Sequence, residues 1–514
     1  MPLPDQYFPD SETQVNKPLL QFICTALTVG VLAGCGDNFT RAADNRKQSA
    51  ALKNAGHHRT GTSDREVGGY FAQWGVYGRN YEVADIETSG TARKLTFLNY
   101  AFGNVYAKNG GYECAMVSKV EPGGANPSSP DAGTGGDAYA DYGRNPTRTV
   151  NGQPAWNAPL SGNFAQLKAL KALHPDLKTF ISLGGWTWSK NFSAAASTDA
   201  LRKQLVRSCI DIYIRGNLPV QDYHGGPGAA AGVFDGIDID WEFPGGGGMP
   251  YNGHQEADKQ NYTLLLKEMR RQLDAQGALD HKYYHLTAAI GAGKDKIDFT
   301  EPAQYAQYLD WINVMSYDFH GGWTAAGPTN FNGHLRADPL EPSSGSEREY
   351  VGDKAISNLI AAGVPPSKLL LGIPFYGRGW TGVAAGPNGD GLYQRATGAA
   401  PGRYEAGIDD FKVLKNKKGT RYYHPVTKQL YLFTGEGGEW WSYDDATVIA
   451  TKMQYVRDLG LRGAFSWSLD GDANGELATE VWKVRQSMPH ASYGSPLGIR
   501  PTIASMKPIA STTG

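Results

Sequence analysis

The sequence predicts an α/β fold, a (β/α)8 TIM barrel with an inserted small α+β subdomain, on three observations. Eight short apolar, β-rich runs recur along the chain, helix-period stretches lie between them, and one segment after the seventh run breaks the rhythm. The runs are Val67–Gln73, Leu95–Phe102, Lys178–Leu183, Val233–Trp241, His285–Ile290, Trp311–Ser316, Lys368–Pro374 and Gly463–Trp467. Asn163–Leu173, Ala200–Ile214, Asn261–Gln276 and Ala446–Leu459 are apolar at i, i+3 and i+4 and read as helices. A doubly wound sheet is the alternative, but no glycine-rich dinucleotide turn opens a helix after the first run. Residues 379–443 supply RYYHP, QLYLF and WWSY with turns where a helix is due, and are read as the insertion. Glu121–Pro154, Gly225–Gly232 and Gly245–Gly253 are rich in glycine or proline and read as loops; the first and third follow runs and should flank the mouth of a barrel.

With 40% hydrophobic residues the 514-residue chain can bury a full core, although its 65 glycines and 29 prolines make it loop-rich. The formal net charge is −2 and no block of five like charges occurs, which excludes the electrostatic footprint of a nucleic-acid binder. The 12 tryptophans and 28 tyrosines suit ligands that present both CH faces and hydroxyls, as sugars do, and serve core packing equally well. Leu19–Leu32 is apolar but too short to span a bilayer, so no transmembrane span is expected and residues 1–36 read as a leader for export. Leu32-Ala33-Gly34-Cys35 resembles a bacterial lipobox, leaving lipid anchoring through Cys35 and simple cleavage both open. Asp5, Asp10 and Glu12 precede the single Lys17, unlike the positive start of a leader; translation from near Val15 would remove all three and leave VNKPLLQF. Residues 37–65 are a polar tether, 491–514 a tail without periodicity expected to be disordered, and 66–490 the working unit, expected to be a monomer. Cys114 and Cys209 either pair or stay as separate buried thiols; neither has zinc-ligand spacing.

The most informative segment is Phe234-Asp235-Gly236-Ile237-Asp238-Ile239-Asp240-Trp241-Glu242-Phe243-Pro244. Alternate side chains of a strand share a face, so Asp238, Asp240 and Glu242 line one side and Ile237, Ile239, Trp241 and Phe243 the other. In a barrel the apolar face packs under the helices and the acids enter the barrel, with Glu242 nearest the C-terminal mouth. A purely structural role fits poorly, because three acids at about 7 Å intervals cost several kcal/mol to bury unless protons or hydrogen bonds are shared. Mg²⁺ or Ca²⁺ binding is the competitor, but no calcium-loop spacing follows. Acid/base chemistry is the remaining reading: neighbouring carboxylates disfavour another negative charge, so Glu242 keeps its proton and acts as general acid. Asp235 lies on the opposite face and is assigned to structure. His320 is read as a hydrogen-bonded loop histidine at the rim.

DGIDIDWEFP resembles the D-x-x-D-x-D-x-E signature of family 18 glycoside hydrolases, the chitinases, and four further stretches and the first strand extend the likeness over roughly Glu66–Leu477. Gly69-Tyr70-Phe71-Ala72-Gln73-Trp74-Gly75-Val76-Tyr77-Gly78-Arg79 is similar to the family's first strand and Ser182-Leu183-Gly184-Gly185-Trp186 to its S-x-G-G motif. Met315-Ser316-Tyr317-Asp318 resembles the sixth-strand M-x-Y-D, Phe375-Tyr376-Gly377-Arg378-Gly379-Trp380 the seventh strand and Phe465-Ser466-Trp467 the eighth. The insertion resembles that of the bacterial subgroup with deep clefts.

The resemblance implies a retaining reaction on chitin and N-acetylglucosamine oligosaccharides without a protein nucleophile and without a cofactor or metal. Glu242 would protonate the glycosidic oxygen, Asp240 would hold the substrate acetamido N–H, Asp238 would share a proton with Asp240, and Tyr317 would orient the acetamido oxygen. Asp318 and Arg378 would grip the sugar, Tyr70 and Ser182 would tune the acids from below, and Trp467 would floor the distorting subsite. Phe102 and Met315 complete the expected lining; Trp74, Trp186 and Trp323 are candidate stacking platforms or ordinary rim or core aromatics, and Glu405 a candidate hydroxyl partner or a plain surface acid. A non-catalytic chitin lectin, which would lack the acid, and an endo-β-N-acetylglucosaminidase acting on glycans are the alternatives.

Overall fold

The computed structural model describes residues 64–152 and 158–486. The leader at 1–36, nearly all of the tether, Pro154 and the tail at 491–514 fall outside the described residues.

Eight parallel strands close into a barrel: β1 Glu66–Ala72, β2 Phe97–Gly103, β3 Lys178–Gly184, β4 Gly236–Asp240, β5 His285–Gly291, β6 Trp311–Met315, β7 Leu369–Pro374 and β8 Gly463–Trp467, with β1 paired to β8. The principal helices around it are α1 Gly162–Leu173, α2 Asp199–Cys209, α3 Asp258–Asp280, α4 Gly352–Ala361 and α5 Ala446–Asp458. Strand alternation sorts the side chains. Leu98, Ile181, Ile237, Ile239, Leu286, Ile312 and Leu371 are buried in the large core cluster that α1, α3, α4 and α5 help to form. Phe97, Phe180 and Trp311 point inward and plug the lower barrel, with ring centroids 4.9 to 5.8 Å apart.

The loop after β2 is more structured than its composition suggests. It holds the hairpins Val105–Lys108/Gly111–Cys114 and Ser118–Lys119/Gly136–Asp137. Cys114 and Cys209 are disulfide-bonded, with Cα atoms 4.9 Å apart, which fastens the first hairpin to the end of α2 and closes the question left open by sequence separation. Glu121 orders the rest: its carboxylate accepts hydrogen bonds from the Gly123, Gly133 and Gly135 N–H groups and from Trp188 Nε1, at 2.6 to 2.9 Å.

Tyr376–Val383 begins just after β7 and leads into an antiparallel sheet, in the order Gly398–Ala399, Tyr376–Val383, Gly438–Tyr443, Leu430–Phe433, Thr420–Tyr423, with Ile408–Asp410 also paired to Tyr376–Val383. The sheet has its own core of Phe331, Trp380, Tyr431, Phe433 and Trp440. Arg79 ties it to the barrel: its guanidinium lies over the Tyr404 ring at 4.4 Å, and its Nε is 3.4 Å from Asp410 of the sheet and 3.0 Å from Asp470 beyond β8.

At the opposite end of the barrel from the mouth, the two ends of the described chain meet. The Glu66 N–H donates to the Arg462 carbonyl at 2.8 Å, Arg462 pairs with the Glu66 carboxylate at 2.7 Å, and Arg485 donates to the Arg65 carbonyl.

Candidate active site

Asp238 sits level with Ser182 of β3 and Thr287 of β5, because parallel register pairs it with both. All three side chains face the barrel axis, and Asp238 is fully buried. Its Oδ2 accepts from the Tyr70 hydroxyl at 2.8 Å and Ser182 at 2.7 Å; its Oδ1 accepts from Thr287 at 2.6 Å and, more distantly, from Asn313 Nδ2 at 3.4 Å. Burial pushes the Asp238 carboxyl above the usual range, and these donors pull part of that rise back.

Asp240, two residues nearer the mouth, is 3% exposed and its Oδ1 has no partner among the described residues. Burial raises its pKa well above the ordinary value, and the charges of Glu242 and Asp238 add to the rise. Hydroxyl and amide donors thus reach both oxygens of Asp238, while Asp240 above it is left for a ligand.

Glu242 follows β4 at the mouth. Its N–H donates to the Ser189 hydroxyl at 2.9 Å and its carbonyl accepts from Asn252 Nδ2 at 3.1 Å, so the backbone beneath the carboxyl is held on both sides. Burial first, and Asp318 second, push the Glu242 carboxyl toward its protonated form. A column of three acids in a desolvated barrel does not carry three negative charges near neutral pH, and the outermost acid is the one placed to pass a proton to a ligand at the mouth.

The backbone allows this packing only with glycine beside it. At Gly184, φ is +108° and a Cβ would lie 2.3 Å from the Asp240 carbonyl oxygen; at Gly185, φ is +75° and a Cβ would strike the Phe102 ring.

Around the acids, Trp467 stacks on Phe102 with centroids 5.5 Å apart and 17° between planes, and is tilted toward Tyr70 at 5.3 Å and Trp74 at 6.3 Å. Tyr317 packs edge-on against Tyr376 and Phe465, and burial and the neighbouring acids raise its pKa. Met315 packs against the same inner cluster. Asp318, with φ +57°, accepts from Arg378 Nε at 2.8 Å and from the Tyr376 hydroxyl at 2.7 Å. Arg378 lies over the Trp323 ring at 5.0 Å. Trp74, Trp186 and Trp323 are 39%, 48% and 58% exposed, which places them on the rim and not in the core. Glu405 is exposed on the sheet, and its charge acts on Arg378.

The structure brings together Tyr70, Ser182, Asp238, Asp240, Glu242, Tyr317 and Trp467, with Asp318 and Arg378 at one side. Thr287, Asn313, Ser189 and Asn252 were not picked out from the sequence, and Tyr376 only as part of the seventh-strand motif. Thr287 and Asn313 carried a signal, being polar residues at inward positions of otherwise apolar strands. Asp235 accepts from the Thr179 N–H at 3.0 Å and pairs with Lys171 at 2.8 Å, away from the acids. His320 departs from its expected hydrogen-bonded state. Its Nε2 has no partner among the described residues, its ring stacks 6.4 Å from that of His334, and burial lowers its pKa to about 4.

Residues 66–472 match the family described as glycosyl hydrolases family 18. The chain belongs to that family. It is 39% identical over 443 residues to chitinase A1 of Niallia circulans, covering 81% of this chain and 58% of that protein. It is 35% identical to a probable endochitinase of Orgyia pseudotsugata multicapsid polyhedrosis virus, covering 80% of this chain and 71% of that one. The chain thus spans less than two thirds of the length of the Niallia circulans protein. The catalytic domain of psychrophilic chitinase B from Arthrobacter TAD20 superposes with a TM-score of 0.77 at 43% identity, covering 82% of this chain and 95% of that domain. Among the described residues no helix is long and apolar enough to cross a membrane, and no group of three or more His, Cys, Asp or Glu is arranged to hold a metal ion.

Proposed function

We propose that the protein is a chitinase, hydrolysing β-1,4 bonds between N-acetylglucosamine units with Glu242 as general acid and then base. The observation that carries this reading is the column Asp238, Asp240, Glu242, whose outermost member is pushed toward protonation at a mouth lined by Trp467, Phe102 and Tyr317. The chitinase names of the relatives support the substrate class.

In this reading the Glu242 carboxylic acid gives its proton to the glycosidic oxygen as the C1–O bond breaks, and the substrate's own acetamido oxygen bonds to C1. Asp240, with an unpartnered oxygen, accepts the acetamido N–H and stabilises the positive charge that spreads over the cyclised ring. Tyr317 donates to the acetamido oxygen and orients it. Water then attacks C1 from the face the leaving group vacated, Glu242 takes its proton back, and the product keeps the β configuration. Asp238, fixed by Tyr70, Ser182 and Thr287, holds negative charge under Asp240 and keeps its carboxyl proton-hungry. Asp318, Arg378 and Glu405 bind sugar hydroxyls, Met315 packs beside the reacting sugar, and Trp74, Trp186 and Trp323 stack on sugar faces. Residues 66–490 are the catalytic unit, 379–443 form one wall of its cleft, and the leader exports the enzyme.

Glu242→Gln tests the reading, because the amide keeps size and hydrogen bonding but cannot deliver a proton. Turnover of chitin oligomers should fall at least ~10²-fold while oligosaccharide binding, measured calorimetrically, survives. Near-normal turnover in the purified variant, or release of the α-anomer first by the parent enzyme, overturns it.

A further inference from the structure

Glu242 lies between two residues that face the other way. Trp241 stacks on Phe192 at 5.6 Å and meets Tyr262 of α3 edge-on at 5.9 Å, and Phe243 lies under the Lys296 ammonium at 5.2 Å. Trp241, Phe243 and Pro244 line one side of a cavity of about 20 Å³, and Tyr262, Lys296 and Tyr305 lie on the other.

Three polar groups of this lining have no protein partner among the described residues: Trp241 Nε1–H and the Tyr262 and Tyr305 hydroxyls. Their side chains are at most 2% exposed. The two tyrosine rings meet edge-on at 5.1 Å, so the three residues form one continuous cluster. The neighbouring Thr300 hydroxyl donates to the Ile297 carbonyl at 2.8 Å and lies near enough to Tyr305 to lower its pKa, but no hydrogen bond of good geometry joins the two hydroxyls. Buried donors are rarely left unmade, since each forfeits the hydrogen bond it had with solvent. A cavity of this volume holds one water molecule, and a buried water needs two to four polar partners. A single water can accept from the indole N–H and from one phenol and donate to the other, so one molecule has the capacity to partner all three groups.

We propose that Trp241, Tyr262 and Tyr305 form a site for one internal water molecule that braces the Trp241–Pro244 turn from behind and so positions Glu242. The role in positioning rests on the reading of Glu242 as the acid; the water site does not. In front, Ser189 and Asn252 hold the Glu242 backbone, and behind it the residues on either side of Glu242 close on the cavity. With both sides held, the carboxyl cannot rock about the strand end, and small displacements of a reacting group are costly in rate.

The test uses high-resolution crystals of the full chain and of the Tyr262→Phe/Tyr305→Phe variant, together with kinetics on a soluble chitotriose-like reporter. The parent should show one ordered water within hydrogen-bonding reach of Trp241 Nε1 and both tyrosine hydroxyls. The double variant should lose that water, and its kcat should fall about threefold or more while KM stays within about twofold, since the substrate contacts are untouched. If the double variant does not fold, Tyr305→Phe alone is expected to show the same split to a smaller degree. Density without a water in the parent overturns the site. Water lost with kcat unchanged, or KM raised with kcat unchanged, overturns the positioning role. An active Glu242→Gln with the water still in place overturns the acid assignment alone, so the two failures are told apart.

Discussion

Asp318 is the charged group outside the column that bears most directly on Glu242. It raises the Glu242 pKa as a second cause after burial, so its removal lowers it. Glu242 works as an acid only while protonated, and activity is lost as pH rises through its pKa. In Asp318→Asn the basic limb of the kcat profile should therefore move to lower pH, by roughly half a unit or more. A pH–rate series on the soluble reporter checks this; an unmoved or higher basic limb assigns the elevation to burial alone. At this scale much was legible in advance, because the direction of a strand side chain is a property of the backbone. Alternation alone put Asp238, Asp240 and Glu242 in one column. The donors that hold Asp238 were less so, since Thr287 and Asn313 come from other strands and meet it only through the register of the closed barrel.

The rim segment after β2 carries a buried acid of its own. Asp141 is 5% exposed, accepts from the Tyr100 hydroxyl at 2.6 Å and from Gln73, and burial pushes its pKa up to about 8 despite those donors. Between about pH 4 and 8 the folded protein holds a proton there that the unfolded chain has released, so stability falls as pH rises through that window. Asp141→Asn keeps the acceptor and cannot ionise. Its melting temperature should match or trail the parent at pH 5 and gain on it toward pH 8, where the parent loses up to about 1.4 kcal/mol per pH unit at this site. Parallel curves across the range refute the assignment. Among the elements, the eight barrel strands were readable because both faces of each are buried and the runs are continuously apolar. The hairpins after β2 were not: Val105–Lys108 and Gly111–Cys114 are short and partly exposed, and they are held by the disulfide to α2 and by pairing with each other, which no local pattern announces.

Across the whole molecule, Trp74, Trp186 and Trp323 stand on the rim at different loops, so a long ligand could touch several of them and a short one could not. Trp186→Ala should lose about tenfold in activity on insoluble chitin, equivalent to ~1.4 kcal/mol of contact, and much less on a chitotriose-like reporter. Equal losses on both substrates, or none, would remove the platform role. The insertion was visible from the broken rhythm of the sequence, yet its attachment was not, because Arg79 lies hundreds of residues before Asp410 and Asp470 and is joined to them only by the fold. The meeting of Arg65 with Arg485 and of Glu66 with Arg462 has a practical consequence. The described chain begins and ends at the base of the barrel, so a support attached directly at either of these two points would stand behind the enzyme and leave the cleft facing outward to a solid polymer.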